Sequence, residues 1–215
     1  MKNIHHFKNF LVASFRKKHF DYQQYWEERY RNKGTSGAGS YGILVKDKAD
    51  FLNQFVEQNG IKSVIEFGCG DGNQLSLANY LQYLGFDVSI SALEICTKKY
   101  GNDKGKSFLL YEPNYFSNKG FLKADLVICI DVLYHITDEK DFYKTLHDIF
   151  SCSRNFVVLY TSLHQETSAQ HVLHREILPI LQSINDFRIV EIINQEHREL
   201  SSAQFIILQL ITSEE

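Results

Sequence analysis

Between residues 66 and 72 the chain reads Glu66-Phe67-Gly68-Cys69-Gly70-Asp71-Gly72, an acid followed by glycines at alternate positions. Glycines so spaced let a backbone turn tightly and approach a bound molecule, because no Cβ stands in the way. Apolar Val64, Ile65 and Phe67 read as a buried strand entering the turn, and a helix is expected to leave it near Asn73, with its unpaired N–H groups facing the ligand. Together they make a cradle for a nucleotide-like molecule. A second acid, Asp87, stands 21 residues after Glu66, at the expected end of the next strand. There a carboxylate can accept hydrogen bonds from both hydroxyls of a ribose.

Two further clusters carry side chains suited to proton transfer or anion binding. In Asp131-Val132-Leu133-Tyr134-His135, the imidazole of His135 titrates near neutral pH and could serve as a general base, or could bond locally and shape its loop. Tyr134 could touch an acceptor or simply pack. His171, His174 and Arg175 precede Pro179, which disfavours helix at Leu178, so they fall in a loop. Two imidazoles and a guanidinium fork suit an anionic or phosphorylated acceptor. A His-x-x-His metal pair lacks a third ligand at a recognisable spacing, so no metal is expected, and a solvated polar loop is the remaining reading.

The elements that must position these groups alternate along the chain. Residues 46–59 place Phe51, Leu52, Phe55 and Val56 on one helical face, with Gly60 as the stop. After the cradle come an expected helix over 73–79, a strand over 83–88, a helix over 91–100 and a strand over 107–111. Residues 124–131 form a near-continuous apolar run, as in a central parallel strand buried on both faces. A helix capped by Asp138, a strand over 155–160, a helix over 179–184 and strands over 187–193 and 204–210 complete the chain. Such alternation implies a parallel sheet wrapped by helices, closed by an antiparallel hairpin, with ligands at the C-terminal ends of the strands. Upstream, residues 1–45 read as a helical extension and lid, and 46–215 as the main domain. Residues 1–20 are basic without an acid, and Phe7, Phe10, Leu11, Ser14 and Phe15 share a helical face, as in a membrane-surface, partner-binding or internally packed helix. The glycine-serine run over 34–42 is either a linker or a lid.

With 215 residues, 44% hydrophobic, the chain can bury one substantial core. A formal net charge of -3 gives no general attraction to nucleic acid or anionic membrane, which points to a small-molecule partner. The four scattered cysteines form no CxxC and read as reduced thiols in a cytoplasmic protein. The apolar run over 10–15 is too short to span a membrane. Nothing in the sequence fixes an oligomeric state.

Two ligands compete for the cradle, a dinucleotide and S-adenosylmethionine. A dinucleotide fingerprint starting at Gly68 requires glycine at 73, where Asn73 stands. The run Glu66-x-Gly68-x-Gly70-x-Gly72, followed by a second acid, resembles the first motif of class I S-adenosylmethionine-dependent methyltransferases. That resemblance implies an α/β Rossmann-like sheet of seven strands, ordered 3-2-1-4-5-7-6 with strand 7 antiparallel. It implies that Glu66 and the backbone of Gly68, Cys69, Gly70 and Gly72 meet the methionine part of the donor, with Asp87 and Val88 at the ribose. Glu112 would lie near the adenine, and Asp131 and Val132 on the sulfonium side. Trp26 and Tyr30 would cover the donor, and the loop ending at Ser40 would offer N–H groups to its carboxylate. Tyr25-Trp26-Glu27-x-Arg29-Tyr30, Asp131 to His135 and the His171–Arg175 segment look like a bacterial subgroup of small-molecule methyltransferases, some associated with surface glycans. The expected activity is methyl transfer to an oxygen or nitrogen of a small polar acceptor, with His135 as base and Tyr134, His171, His174 and Arg175 at the acceptor. A nicotinamide-dependent oxidoreductase and a catalytically silent binding domain are the alternatives.

Overall fold

The computed structural model describes residues 20–165 and 169–211. The expected helix at the N-terminus therefore lies outside the described residues, apart from Phe20. The chain begins with α1 (Tyr22–Arg31) and α2 (Gly42–Gln58), then alternates β1 (Ser63–Phe67), β2 (Gln82–Asp87), α3 (Ile90–Tyr100), β3 (Lys106–Leu110), β4 (Ala124–Ile130), α4 (Glu139–Ser151) and β5 (Ser153–Thr161). It ends with α5 (Ile177–Gln182), β6 (Phe187–Asn194) and β7 (Gln204–Leu210). These strands form one sheet in the order β3-β2-β1-β4-β5-β7-β6. The first five run parallel, whereas β7 is antiparallel to both β5 and β6, as the sequence led us to expect.

The central strand shows why the sheet needs helices on both faces. Along β4, Val127 and Cys129 pack with α4 residues Phe142, Leu146 and Ile149, while Leu126 and Ile128 pack with Leu52 and Val56 of α2. Every residue of Leu126–Ile130 is buried, which accounts for the unbroken apolar run. Helix ends follow their sequence signals. Asp138 accepts the Asp141 N–H at 3.0 Å to start α4, and Gly60, at φ +60, ends α2 through a bond from the Ile61 N–H to the Val56 carbonyl.

Two elements differ from expectation. The α2 helix starts at Gly42, four residues before the expected residue 46, which adds Val45 to the buried stripe of Lys48, Ala49, Leu52 and Val56. The helix expected after the glycine turn is only a single 3-10 turn, Gln74–Leu77. Residues 73–81 are too few to hold an α-helix and still return the chain to a parallel strand at Gln82. The cradle is consequently closed by loop backbone and side chains instead of a helix N-terminus. Among the described residues no helix is long and apolar enough to cross a membrane.

Candidate active site

The glycine loop is built for close approach. Gly68 and Gly70 have φ of +83° and +55°, a region that disfavours side chains. A Cβ on Gly68 would stand 2.2 Å from a Val132 methyl, and one on Gly70 would stand 2.4 Å from the Ser36 hydroxyl oxygen. Both glycines are thus required by the turn and by their neighbours, the loop leaving β4 and the segment before α2.

Two buried carboxylates, Glu66 and Asp87, and the partly buried Asp131 line the cavity above this loop. Asp87 accepts the Gly70 N–H at 2.8 Å and the Ser89 N–H at 2.9 Å, and burial outweighs these bonds, raising its pKa to about 6. Glu66 accepts the Tyr83 hydroxyl, and burial raises its pKa to about 7. Asp131, whose own φ is +60°, is held by the ammonium of Lys48 and by the Tyr134 hydroxyl at 2.7 Å. Lys48 is 1% exposed and lies over the Tyr160 ring, so its charge is compensated from two sides. Lys48 stands one turn before Leu52 on the buried stripe of α2.

The segment before α2 forms the roof. Glu27 accepts the hydroxyls of Ser89 and Ser91, each at 2.7 Å, which fastens α1 to the start of α3, and Tyr22 donates to Asp141 at 3.0 Å, which fastens it to α4. Trp26 and Tyr30, stacked with ring centroids 5.8 Å apart, line the cavity. Residues 34–41 are tied down by Asp71, which accepts the Ser36 N–H at 3.0 Å and the Tyr41 hydroxyl at 2.7 Å. Burial disfavours the Asp71 charge, but the bonds from Tyr41, Ser36 and Asn73 prevail and hold its pKa below the usual value. The Asn73 amide completes the clasp on the Ser40 carbonyl at 2.7 Å. Nothing in the sequence alone marks the side chains of Asp71 and Lys48 for these roles.

His135 sits where this cavity meets a second one, whose wall includes Trp26, Arg29, Gly37, Tyr134, His135 and His171. Its Nδ1 lies 2.8 Å from the His171 carbonyl. A carbonyl only accepts, so Nδ1 carries the proton and Nε2 the lone pair. Burial is the main cause that lowers the His135 pKa to about 4, so the ring is neutral at pH 7. Trp26 meets it edge-on at 4.9 Å, and His171 stacks on it at 5.6 Å.

Of the expected donor-binding residues, Trp26, Tyr30, Ser40, Glu66, Gly68, Cys69, Gly70, Asp87, Val88, Asp131 and Val132 all line the first cavity. Gly72 does not, because its carbonyl is turned to α3 and accepts the Tyr100 hydroxyl at 2.6 Å. Neither does Glu112, whose carboxylate accepts from Asn114 beside it; the preceding Tyr111 takes that place on the wall. On the acceptor side, Tyr134 and His171 border the second cavity. His174 packs on the Tyr134 ring and lies on neither wall. Arg175 requires a correction. Its fork is engaged by Glu139 at 2.9 and 3.1 Å and by the Ile136 carbonyl at 3.0 Å, and it lies 4.0 Å from the Phe142 ring centroid, so it braces α4. His171 and His174 face different rings, and among the described residues no group of three or more His, Cys, Asp or Glu could hold a metal.

A 3-2-1-4-5-7-6 sheet, with a glycine loop after β1 and a buried acid ending β2, is the Rossmann-like architecture of class I methyltransferases. The sequence profile of the family described as "Methyltransferase domain" matches residues 42–203, and the chain belongs to that family, as an S-adenosylmethionine-dependent methyltransferase. Among solved structures, the N-methyltransferase NodS from Bradyrhizobium japonicum WM9, in complex with S-adenosylhomocysteine, superposes with a TM-score of 0.72 at 15% identity, covering 90% of this chain and 100% of that one. Magnesium protoporphyrin IX methyltransferase from Synechocystis PCC 6803, with the same product bound, gives 0.64 at 18% identity, covering 88% and 98%. The methyltransferase domain of bacterial CtHen1-C gives 0.62 at 21%, covering 78% and 100%. At such identities the likeness is one of fold. No curated protein sequence matches the chain.

The cavity residues fit the donor. Side-chain-free turns at Gly68 and Gly70 would admit a ligand close to the backbone, and the buried carboxylate of Asp87 would suit ribose hydroxyls. When bound, S-adenosylmethionine supplies a methyl group already activated by its sulfonium charge.

Proposed function

We propose that the chain methylates an oxygen of a small polar metabolite, a sugar or a phosphorylated or nucleotide-linked intermediate of surface-polysaccharide biosynthesis, with His135 as the general base. The observation that carries the reading is the fixed tautomer of His135, which leaves its Nε2 lone pair on the wall shared by the two cavities. The ring would accept the acceptor's hydroxyl proton as the new O–C bond forms and the S–CH3 bond breaks, its electron pair returning to sulfur so that S-adenosylhomocysteine leaves. Trp26, packed against His135, would exclude water and align the acceptor. Tyr134 and His171, on the second cavity, would contact the acceptor. The glycan association rests on the subgroup resemblance of Tyr25 to Tyr30 and Asp131 to His135.

The segment up to about residue 45 would act as the lid and the remainder as the catalytic domain, since Trp26, Tyr30, Ser36 and Ser40 line the donor cavity from upstream of the family match. Four buried thiols fit a reducing, cytoplasmic setting. A nicotinamide enzyme is disfavoured by Asn73, which binds the Ser40 carbonyl where the dinucleotide fingerprint requires glycine. For His135→Ala we expect kcat to fall by about 100-fold or more, the usual contribution of a positioned base. Calorimetry should show S-adenosylhomocysteine affinity within about twofold of wild type, because general-base loss acts on turnover. Unchanged turnover in that variant would return His135 to a structural role.

A further inference from the structure

The second cavity contains a cation whose partners leave part of its fork available. Arg29 donates from Nε to the Thr35 carbonyl at 2.6 Å and from one terminal nitrogen to the Tyr25 hydroxyl at 3.1 Å. Its guanidinium lies 5.4 Å from the Trp26 ring centroid. The other terminal nitrogen, Nη2, edges the cavity beside Gly37: a Cβ there would stand 3.9 Å from it, and glycine leaves that space open. Among the described residues no carboxylate pairs with this guanidinium, in contrast to Arg175, whose fork is filled. The one carboxylate on the same wall, Asp131, is already held by Lys48 and Tyr134.

Trp26 links the base to this cation: His135 meets the indole edge-on, and the Arg29 guanidinium lies over the same ring. We infer that Arg29 holds a phosphate or carboxylate group of the methyl acceptor, making it a specificity-determining residue. The inference rests on the proposed role of the second cavity as the acceptor site. It transfers to Arg29 the anion-gripping task that the sequence had suggested for Arg175. A partly engaged guanidinium is well suited to it, because its orientation is fixed before an oxyanion arrives.

The test uses the full chain saturated with S-adenosylhomocysteine, titrated calorimetrically with inorganic phosphate, glucose 1-phosphate and glucose. Expected are binding of both phosphates and an affinity for glucose about tenfold or more weaker than for its phosphate, as a charge-assisted fork would give. Arg29→Gln should weaken phosphate binding about tenfold while leaving S-adenosylhomocysteine within about twofold, Arg29→Lys should recover part of the loss, and exposed Arg154→Gln should change neither. Equal affinity for glucose and glucose 1-phosphate would overturn the inference, as would an Arg29→Gln chain that binds phosphate like wild type. So would phosphate displacing S-adenosylhomocysteine, or an equal loss of S-adenosylhomocysteine affinity in Arg29→Gln, which would assign the guanidinium to the donor's carboxylate. Should Arg29→Gln not fold, the wild-type comparison of the two sugars still decides. A wild-type chain that binds no S-adenosylhomocysteine removes the acceptor-site reading as well, whereas product binding without phosphate binding removes this inference alone.

Discussion

At the scale of single residues, the site is governed by how burial moves protons. Burial raises the Asp87 pKa to about 6. Were its charged carboxylate to hold the donor's ribose hydroxyls, donor binding would release a proton at acid pH. We expect S-adenosylhomocysteine affinity to be flat above pH 7 and to fall by about tenfold for each pH unit below 6, with Asp87→Asn binding weakly at all pH values. Calorimetry across pH 4.5–8 checks this, and a flat profile in the wild type would refute it. Stability runs the other way for the two raised carboxylates. Asp87 and Glu66 contribute stability below their unfolded values that is lost as pH rises through about 6 and about 7. His135, lowered to about 4, contributes stability above its unfolded value of 6.5, lost as pH falls toward 4. Much of this chemistry was legible in the sequence, because Glu66, Asp87, Asp131 and His135 stand at strand ends that the apolar pattern marks. Lys48 and Arg175 were not, since their roles depend on Asp131 and Glu139, partners that only the folded chain brings to them.

At the scale of elements, Asp71 fastens one loop to another. Its carboxylate joins residues 34–41 to the glycine loop through Ser36 and Tyr41, and Ser36 in return accepts the Asp71 N–H at 3.0 Å. Bonds to a charged group contribute about 1.5–3 kcal/mol each when buried. Asp71→Ala should loosen the roof without unfolding the sheet, which has none of these bonds. Hydrogen exchange should show faster exchange over residues 34–41 and unchanged protection in β1 and β4, and product affinity should fall severalfold; equal loss of protection in β4 would mean that Asp71 supports the whole fold. The sheet itself was readable because burial on two faces writes an unbroken apolar run into β4, and Asp138 and Gly60 mark helix ends with local chemistry. The short 3-10 turn after Gly72 was not, as turn signals do not show how much chain is needed to reach the next strand.

At the scale of the molecule, the donor cavity belongs to two parts of the chain at once. The sheet supplies its floor from β1, β2 and β4, while the roof comes from residues 22–41, which precede the region shared with the family. Such a roof can vary without disturbing the sheet, and with it the wall that faces the acceptor. The cysteines of the core are distributed to report on this division. All four are buried: Cys129 lies in β4, Cys152 follows α4, and Cys69 lies in the glycine loop with Cys96 beside it. A hydrogen bond that the Cys69 thiol donates to Cys96, then burial, raises the Cys69 pKa, and burial raises that of Cys129. None of these thiols is poised to react while the fold is closed. Alkylation by iodoacetamide thus becomes a clock for opening: Cys69 should label faster than Cys129, and saturating S-adenosylhomocysteine should slow Cys69 about tenfold or more, as ligand linkage to a closed state requires. Mass spectrometry of the labelled peptides reads both rates; equal, ligand-slowed rates for Cys69 and Cys129 would mean that the loop opens only when the whole molecule does, and a Cys69 rate indifferent to the ligand would mean that the opening that exposes it leaves the ligand site intact.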